Sequence, residues 1–162
     1  MANSEEKKHW VFRVGVADRA GALTSIASAF SNRGVSIDTV VGHGATYGAL
    51  HDGAVVVTFW GTEAEKDNIV RVVERLSKVT TLEEHPYDSD SLRKSAVVHV
   101  NRRLTPRDVA GRQTFLTCEL MKEEKGRFTY FLAGSPSELD PIVERLVEDG
   151  ILDDIVYSVI GL

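Results

Sequence analysis

The chain is poor in cysteine, in long apolar runs and in positive charge. Its single cysteine, Cys118, excludes an internal disulfide and any metal site built from several cysteines. No apolar run approaches the roughly 20 residues that a membrane-spanning helix needs, and the N-terminal stretch MANSEEKKHW lacks the apolar core of a signal peptide. The net charge of −5 gives no overall attraction to nucleic acid or to an anionic membrane. These absences predict a cytoplasmic protein that binds neither nucleic acid nor membrane.

Patterns in the first half of the chain predict a βαββαβ unit. Alternating apolar residues predict a first strand over 9–17, and apolar residues at helical spacing from Leu23 to Phe30 predict a first helix that ends at Gly34. The remaining elements are two β-branched strands, a second helix and a closing strand, over 36–43, 53–60, 64–78 and 79–85.

A repeat displaced by 73 residues relates the second half to the first. GTEAEKDNIV, residues 61–70, matches GSPSELDPIV, residues 134–143, with Glu, Asp and Ile at corresponding positions. The other strands of the second half are predicted over 94–101, 113–122, 127–133 and 153–162, and the first helix is reduced to the stub TPRDVAGR. The fold class is therefore α+β: two tandem ferredoxin-like βαββαβ units, over 8–86 and 94–162, the second with a shortened first helix.

The first helix is unusual because it carries no charge. Its polar face consists of Thr24, Ser25, Ser28 and Ser31, whereas the outward positions predicted for the second helix are Asp67, Arg71, Glu74, Arg75 and Lys78. A small uncharged face lets another surface approach closely, which predicts a homodimer that covers this helix. The alternative is a serine-rich helix exposed to solvent.

The segment DRAGAL, residues 18–23, links the first strand to this helix and places Gly21 in the predicted first turn. Asp18 is a natural N-cap, and the remaining free N–H groups of the turn favour a negatively charged ligand. One explanation of Gly21 is that a side chain there would block a ligand carboxylate from the backbone. The other is that a strand-to-helix turn simply requires glycine. The residues alone leave both explanations open.

The strand, DRAGAL, the following helix, NRGVSID and two β-branched strands together resemble the ACT domain, a regulatory module that senses small molecules. The segments FTYFLAGSPSELDPIVERL and YSVIGL are also similar to the regulatory small subunits of acetolactate synthase. The resemblance implies a non-catalytic amino-acid sensor in branched-chain biosynthesis, a homodimer that holds its ligand between ACT units, a catalytic synthase subunit as partner, and no cofactor on this chain. The alternative is a stand-alone sensor or interaction protein without a synthase partner.

The resemblance also implies which residues bind the ligand. They are Asp18, Ala20, Gly21, Ala22, Leu23, Ser36 and Ile37. Gly21 matches the glycine of the family, whereas Asp18 and Ser36 stand where the family has asparagine.

Other chemistry has weaker support in the sequence. His43, His51 and Asp52 lie in a glycine-rich loop without the spacing of a metal site, so a polar loop is favoured. Cys118 is interpreted as a structural cysteine because no histidine is implied beside it. The basic run of the second half is interpreted as a solvated or protein-contacting patch; it comprises Arg93, Lys94, Arg102, Arg103, Arg107 and Arg112. The sequence shows no acid, base and nucleophile set, which predicts that the protein is not an enzyme.

Overall fold

The computed structural model describes residues 6–17, 20–44, 52–111 and 116–161. Within these ranges the chain forms eight strands and three helices, and it divides into two compact units, Met1–Ser89 and Asp90–Leu162. The division falls inside the polar segment HPYDSDSLRK.

The N-terminal unit has the predicted βαββαβ order. Its elements are β1 (Lys8–Val16), α1 (Ala22–Ser31), β2 (Ile37–His43), β3 (Gly53–Gly61), α2 (Glu63–Val73) and β4 (Val79–Pro86). The strands form one antiparallel sheet in the order β2-β3-β1-β4, so the first and last strands of the unit are neighbours.

The core of this unit lies between the sheet and its helices. Alternation along β1 turns Phe12 toward the helices, where its ring centroid lies 6.2 Å from that of Phe30 on α1 and 4.9 Å from that of Phe59 on β3. α2 adds Ile69 and Val73, both fully buried. α2 thus covers the sheet with the apolar stripe that its sequence predicts. α1 buries Ala22, Ile26, Ala29 and Phe30, whereas Leu23, the first residue of its predicted stripe, is exposed.

The second helix is shorter than predicted. It starts with a capping box in which Thr62 and Glu65 each accept from the other's backbone N–H, and it ends at Val73 instead of residue 78. The N–H of Leu76 bonds to the carbonyl of Val73 at 3.1 Å, and the N–H of Val79 bonds to that of Leu76 at 2.9 Å. These three-residue bonds turn the chain into β4, so Leu76 still packs on the core although it lies outside the helix.

The C-terminal unit repeats the plan, but its described residues contain no first helix. Its elements are β5 (Leu92–Val100), β6 (Thr117–Glu124), β7 (Arg127–Gly134), α3 (Pro136–Glu148) and β8 (Leu152–Gly161), and its antiparallel sheet has the order β6-β7-β5-β8. α3 begins with a capping box of Ser135 and Glu138, the counterparts of Thr62 and Glu65. The repeat predicted from the sequence is therefore confirmed in the structure.

A side-chain clamp, formed by Asp108 with Arg102 and Thr105, fixes the described residues that follow β5. Residues 106–109 form only a turn, and the buried carboxylate of Asp108 accepts from both terminal nitrogens of Arg102, at 2.8 and 2.9 Å, and from the N–H and hydroxyl of Thr105, at 2.6 and 2.9 Å. All residues of β6 are exposed, including Cys118 and Leu120 on the side that a first helix would cover. The fold class is confirmed as α+β with two ferredoxin-like sheets, and the stub contains no helix within residues 101–111.

Candidate functional site

A pocket of about 300 Å³ lies in the N-terminal unit where α1 begins. It is formed by the end of β1, the start of α1, the end of β2 and the start of β3, and its lining comprises Val16, Ala17, Gly21, Ala22, Leu23, Gly42, His43, Gly44, Gly53 and Val55. The pocket thus joins three residues of the predicted site, Gly21, Ala22 and Leu23, to the two ends of the glycine-rich loop. Asp18, the predicted N-cap, lies outside the described residues.

Gly21 precedes the helix instead of lying in its first turn. It is the N-cap residue of α1, with φ 85° and ψ 4°, a left-handed conformation that other residues enter at a cost. The prediction that Gly21 lies in the first turn of the helix is therefore wrong. The left-handed backbone alone explains why position 21 is a glycine. The presence of glycine is therefore no evidence for a ligand, and the ligand hypothesis depends on the pocket around Gly21.

Lys78 lies beside Ala20 and Gly21, whereas the sequence predicts it on the outward face of the second helix. Because α2 ends at Val73, Lys78 lies in the turn before β4, and its Nζ donates to the carbonyl of Ala20 at 2.7 Å. A β-carbon on Gly21 would stand 2.9 Å from the same nitrogen. The helical pattern of the sequence extends the second helix to residue 78, which puts Lys78 on a solvated face. Only a correct prediction of where α2 ends would have placed Lys78 beside Ala20.

The start of α1 offers backbone donors to the pocket. Gly21 supplies no side chain, no acidic residue lies in the first turn, and no side chain of residues 20–44 or the other described segments caps this terminus. The N–H groups of the first turn are therefore suited to an anion such as a carboxylate, assisted by the partial positive charge of the helix terminus. Val16, Ala22 and Val55 give the pocket apolar walls.

Two glycines shape the opposite wall in different ways. A β-carbon on Gly53 would stand 2.7 Å from the carbonyl oxygen of His43, so the close approach of the two strands requires glycine there. A β-carbon on Gly42 would make only ordinary contacts, 3.7 Å from Val55 Cγ2 and 3.8 Å from the carbonyl oxygen of Ala54. Gly42 is thus a position where a side chain fits the fold and enters the pocket.

Ser36 and Ile37 lie away from this pocket. They border a separate depression of about 440 Å³ beyond the C-terminus of α1, and a helix of 10 residues is about 15 Å long. One chain therefore does not bring Ser36 and Ile37 together with Gly21, Ala22 and Leu23. Ala20 lies at the near end, where its carbonyl is engaged by Lys78.

The outer surface of α1 has two different sides. Toward β2 it exposes Leu23, which is 48% exposed, beside an edge strand on which Val40 is 45% exposed. Toward α2 it presents Thr24, Ser25 and Ser28 to a groove. The outer surface of α1 therefore has a hydroxyl side, which contains three residues of the predicted uncharged face, and an apolar side at Leu23, which the sequence assigns to the buried stripe.

The other chemistry considered from the sequence receives no new support. Four members of the basic run are engaged by the protein: Lys94 pairs with Asp140, Arg102 with Asp108 and Arg103 with Glu123, while Arg93 donates to the carbonyls of Asp90 and Leu92. Cys118 is exposed, but desolvation by neighbouring atoms raises the pKa of its thiol, which disfavours the nucleophilic thiolate.

The predicted alternative of a metal site gains no support from the described segments. They contain no group of three or more His, Cys, Asp and Glu side chains that could hold a metal ion, and His51 lies outside them. None of the helices in these segments is long and apolar enough to cross a membrane.

The C-terminal unit has a larger cavity of about 800 Å³ at the start of α3. Phe131, Ala133 and Ile160 form its apolar side, and hydroxyls of Ser95 and Ser135 lie among its polar groups. This cavity is not the counterpart of the pocket at the start of α1, because the described part of the C-terminal unit contains no first helix.

Comparison with known proteins gives structural but no sequence matches. No protein-family model and no curated protein sequence matches the chain. The small subunit of acetolactate synthase from Thermotoga maritima is 12% identical and superposes with a TM-score of 0.68 over 96% of each chain. The regulatory subunit of aspartate kinase from Thermus thermophilus, in its ligand-free form, is 16% identical, with a TM-score of 0.48 over 87% of this chain and 91% of its own. The similarity to the Thermotoga subunit shows that the two chains share a fold.

Proposed function

We propose that this chain is a non-catalytic regulatory protein that binds a small amino acid at the start of α1. The main observation behind the proposal is the pocket of about 300 Å³, where the start of α1, which no described side chain caps, lies beside apolar walls. A ligand carboxylate accepts from the first-turn N–H groups, and an aliphatic side chain lies against Val16 and Val55. The carbonyl oxygens at the end of β2 are acceptors for its ammonium group. Valine, leucine and isoleucine have this combination of groups.

Dimerisation completes the predicted site. Antiparallel pairing of β2 with β2 of a second copy, centred on Val40, places the partner's Ile37 opposite His43 at the mouth of the pocket. The partner's Ser36 follows at the same end. This arrangement covers the exposed apolar side chains of Leu23 and Val40, and it explains why the two halves of the predicted site lie at opposite ends of α1.

The partner proposed for this dimer is the catalytic subunit of an acetolactate synthase. The shared fold with the Thermotoga small subunit over 96% of both chains supports this choice. Regulation requires that the amino acid bind one state of the assembly more tightly than the other. Co-purification of the tagged chain with an acetolactate synthase catalytic subunit tests the partnership, and its failure alongside intact amino-acid binding would favour a stand-alone sensor.

The ligand site is tested by filling the pocket at Gly42. Gly42→Val adds a β-branched residue to a strand that accommodates it, so the fold should survive while the side chain occupies ligand space. Isothermal titration with valine, leucine, isoleucine and other amino acids should show binding to the wild type and at least a tenfold loss in the variant, which corresponds to about 1.4 kcal/mol.

Gly111→Val is the matched control for this titration. Gly111 is an exposed glycine of the C-terminal unit whose β-carbon would come no nearer than 4.0 Å to Ile142. The control should bind like the wild type. Failure of the wild type to bind any amino acid of the panel, or equal binding by wild type and Gly42→Val, would refute the pocket as the site.

A further inference from the structure

A polar groove of about 540 Å³ runs between α1 and α2 on the side of α1 that faces away from β2. Its lining includes Thr24, Ser28 and Asn32 from α1 and its C-cap, together with Lys78 and Arg33. None of the lining residues that the structure describes is acidic, although the whole chain has 24 acidic residues and a net charge of −5. The described lining is therefore positively charged, whereas the protein as a whole is negatively charged.

The two cations of the groove have no carboxylate partner among the described residues. Lys78 donates to the carbonyl of Ala20 at 2.7 Å, which leaves other ammonium hydrogens available. Arg33 donates through Nη1 to the carbonyl of Ala29 at 3.2 Å, and its Nε is buried without a hydrogen-bond partner in the described part of the chain. Elsewhere Arg13, Lys66, Lys94, Arg102 and Arg103 are paired with carboxylates. Arg145, like Arg33, donates to a backbone carbonyl and has no carboxylate partner among the described residues.

The spacing of the two cations selects an extended occupant. The Nζ of Lys78 lies at the carbonyl of Ala20 and the Nη1 of Arg33 at the carbonyl of Ala29, and the helical rise separates these two carbonyls by about 14 Å. A free amino acid or a phosphate ion is too small to reach both. An extended peptide advances about 3.3 Å per residue, so a segment of about five residues spans the distance. Hydroxyls of Thr24 and Ser28 lie between the two ends as further donors.

We propose that this groove is a docking site for an acidic peptide segment of a partner protein, whose carboxylates pair with Lys78 and Arg33. Charge complementarity favours this occupant, because the net negative charge of the chain repels an acidic segment, whereas this groove combines two cations that lack carboxylate partners with no described acidic residue. The groove and the amino-acid pocket lie on different sides of α1 and share only Gly21 among their described lining residues, so peptide binding is measured separately from amino-acid binding.

A fluorescein-labelled hexaglutamate peptide tests the groove by fluorescence anisotropy at low ionic strength. The wild type should bind it, and Lys78→Glu alone or combined with Arg33→Glu should weaken binding by at least tenfold, with the double variant preferring a hexalysine peptide. Arg75→Glu makes the same charge change at an exposed position outside the groove and should bind hexaglutamate nearly as well as the wild type. Circular dichroism of each variant verifies the fold.

Three results would overturn the proposal. The first is no binding of hexaglutamate by the wild type. The second is an equal loss in Arg75→Glu, which would mean that binding follows net charge. The third is displacement of the peptide by free glutamate or inorganic phosphate at equal concentration of carboxylate or phosphate groups, which would indicate a small-anion site at one end of the groove.

Discussion

Replacing Gly21 by alanine measures what its left-handed backbone contributes. Two other glycines are comparators within the same unit. Gly34 has φ 68°, and a β-carbon added to it would meet no atom within 4 Å, so Gly34→Ala reports backbone strain alone. Gly42 lacks a positive φ and has room for a methyl group, so Gly42→Ala reports the ordinary effect of the exchange.

The expected magnitudes follow from three terms. An alanine in the left-handed region costs about 1–2 kcal/mol, and the reduced entropy of its unfolded chain offsets about 0.4–1 kcal/mol of that cost. Gly34→Ala should therefore lower the free energy of unfolding by about 1 kcal/mol. Gly21→Ala also displaces Lys78 from the carbonyl of Ala20, which adds roughly 0.5–1 kcal/mol. Gly42→Ala should be neutral or slightly stabilising.

Tryptophan fluorescence in urea measures these differences without interference from the C-terminal unit. Both tryptophans of the chain, Trp10 and Trp60, belong to the N-terminal unit. For a small unit, the free energy of unfolding falls by about 1 kcal/mol per molar urea. The loss of stability expected for Gly21→Ala should therefore lower the urea midpoint by about 1–2 M. If Gly21→Ala unfolds at the wild-type midpoint, or if Gly42→Ala loses as much stability as Gly21→Ala, the left-handed backbone is not what requires glycine at position 21.

Two further predictions concern the clamp of the C-terminal unit and the apolar side of α1. Asp108→Asn should destabilise the C-terminal unit by about 1–2 kcal/mol, seen as a lower melting temperature by far-UV circular dichroism. Arg102 and the hydrogen bonds from Thr105 hold the pKa of Asp108 below its ordinary value, so the wild type keeps this contribution above pH ~4 and loses it as the pH falls through the lowered pKa. A gap between wild type and variant that stays constant down to pH 2 would contradict this assignment. Leu23→Asp should convert the proposed dimer to monomer in sedimentation equilibrium at micromolar concentration, whereas Val147→Asp, a change at an equally exposed residue of α3, should leave it intact; a monomeric wild type or a dimeric Leu23→Asp would count against the edge-to-edge dimer.

The sequence predicts elements well where one local pattern decides them. Alternation along β1 and β5 places every second residue in the core, and the repeated capping boxes at Thr62 and Ser135 mark the starts of α2 and α3. These signals need no information from distant residues. They suffice for the order of elements and for the fold class.

The site depends on features that local patterns do not contain. Nothing in DRAGAL distinguishes a glycine in the first helical turn from an N-cap glycine with φ 85°, because both precede the same apolar stripe. Lys78 reaches Ala20 across 58 positions of sequence, and it does so only because α2 stops five residues before it. Ser36 and Gly21 are separated by the length of α1. They can belong to one site only if a second copy of the chain supplies one of them.

The pairing of first and last strands has a consequence for how the chain folds. In the N-terminal unit Trp10 pairs with Pro86, and in the C-terminal unit Leu92 pairs with Gly161, so each sheet is closed by its most distant segments. The β3-α2 and β7-α3 blocks involve short loops and can form early. Pairing of β1 with β4, and of β5 with β8, closes a long loop at a high cost in chain entropy and should limit the folding rate. During synthesis the N-terminal unit can complete its sheet once β4 has left the ribosome, before the closing strand of the C-terminal unit exists.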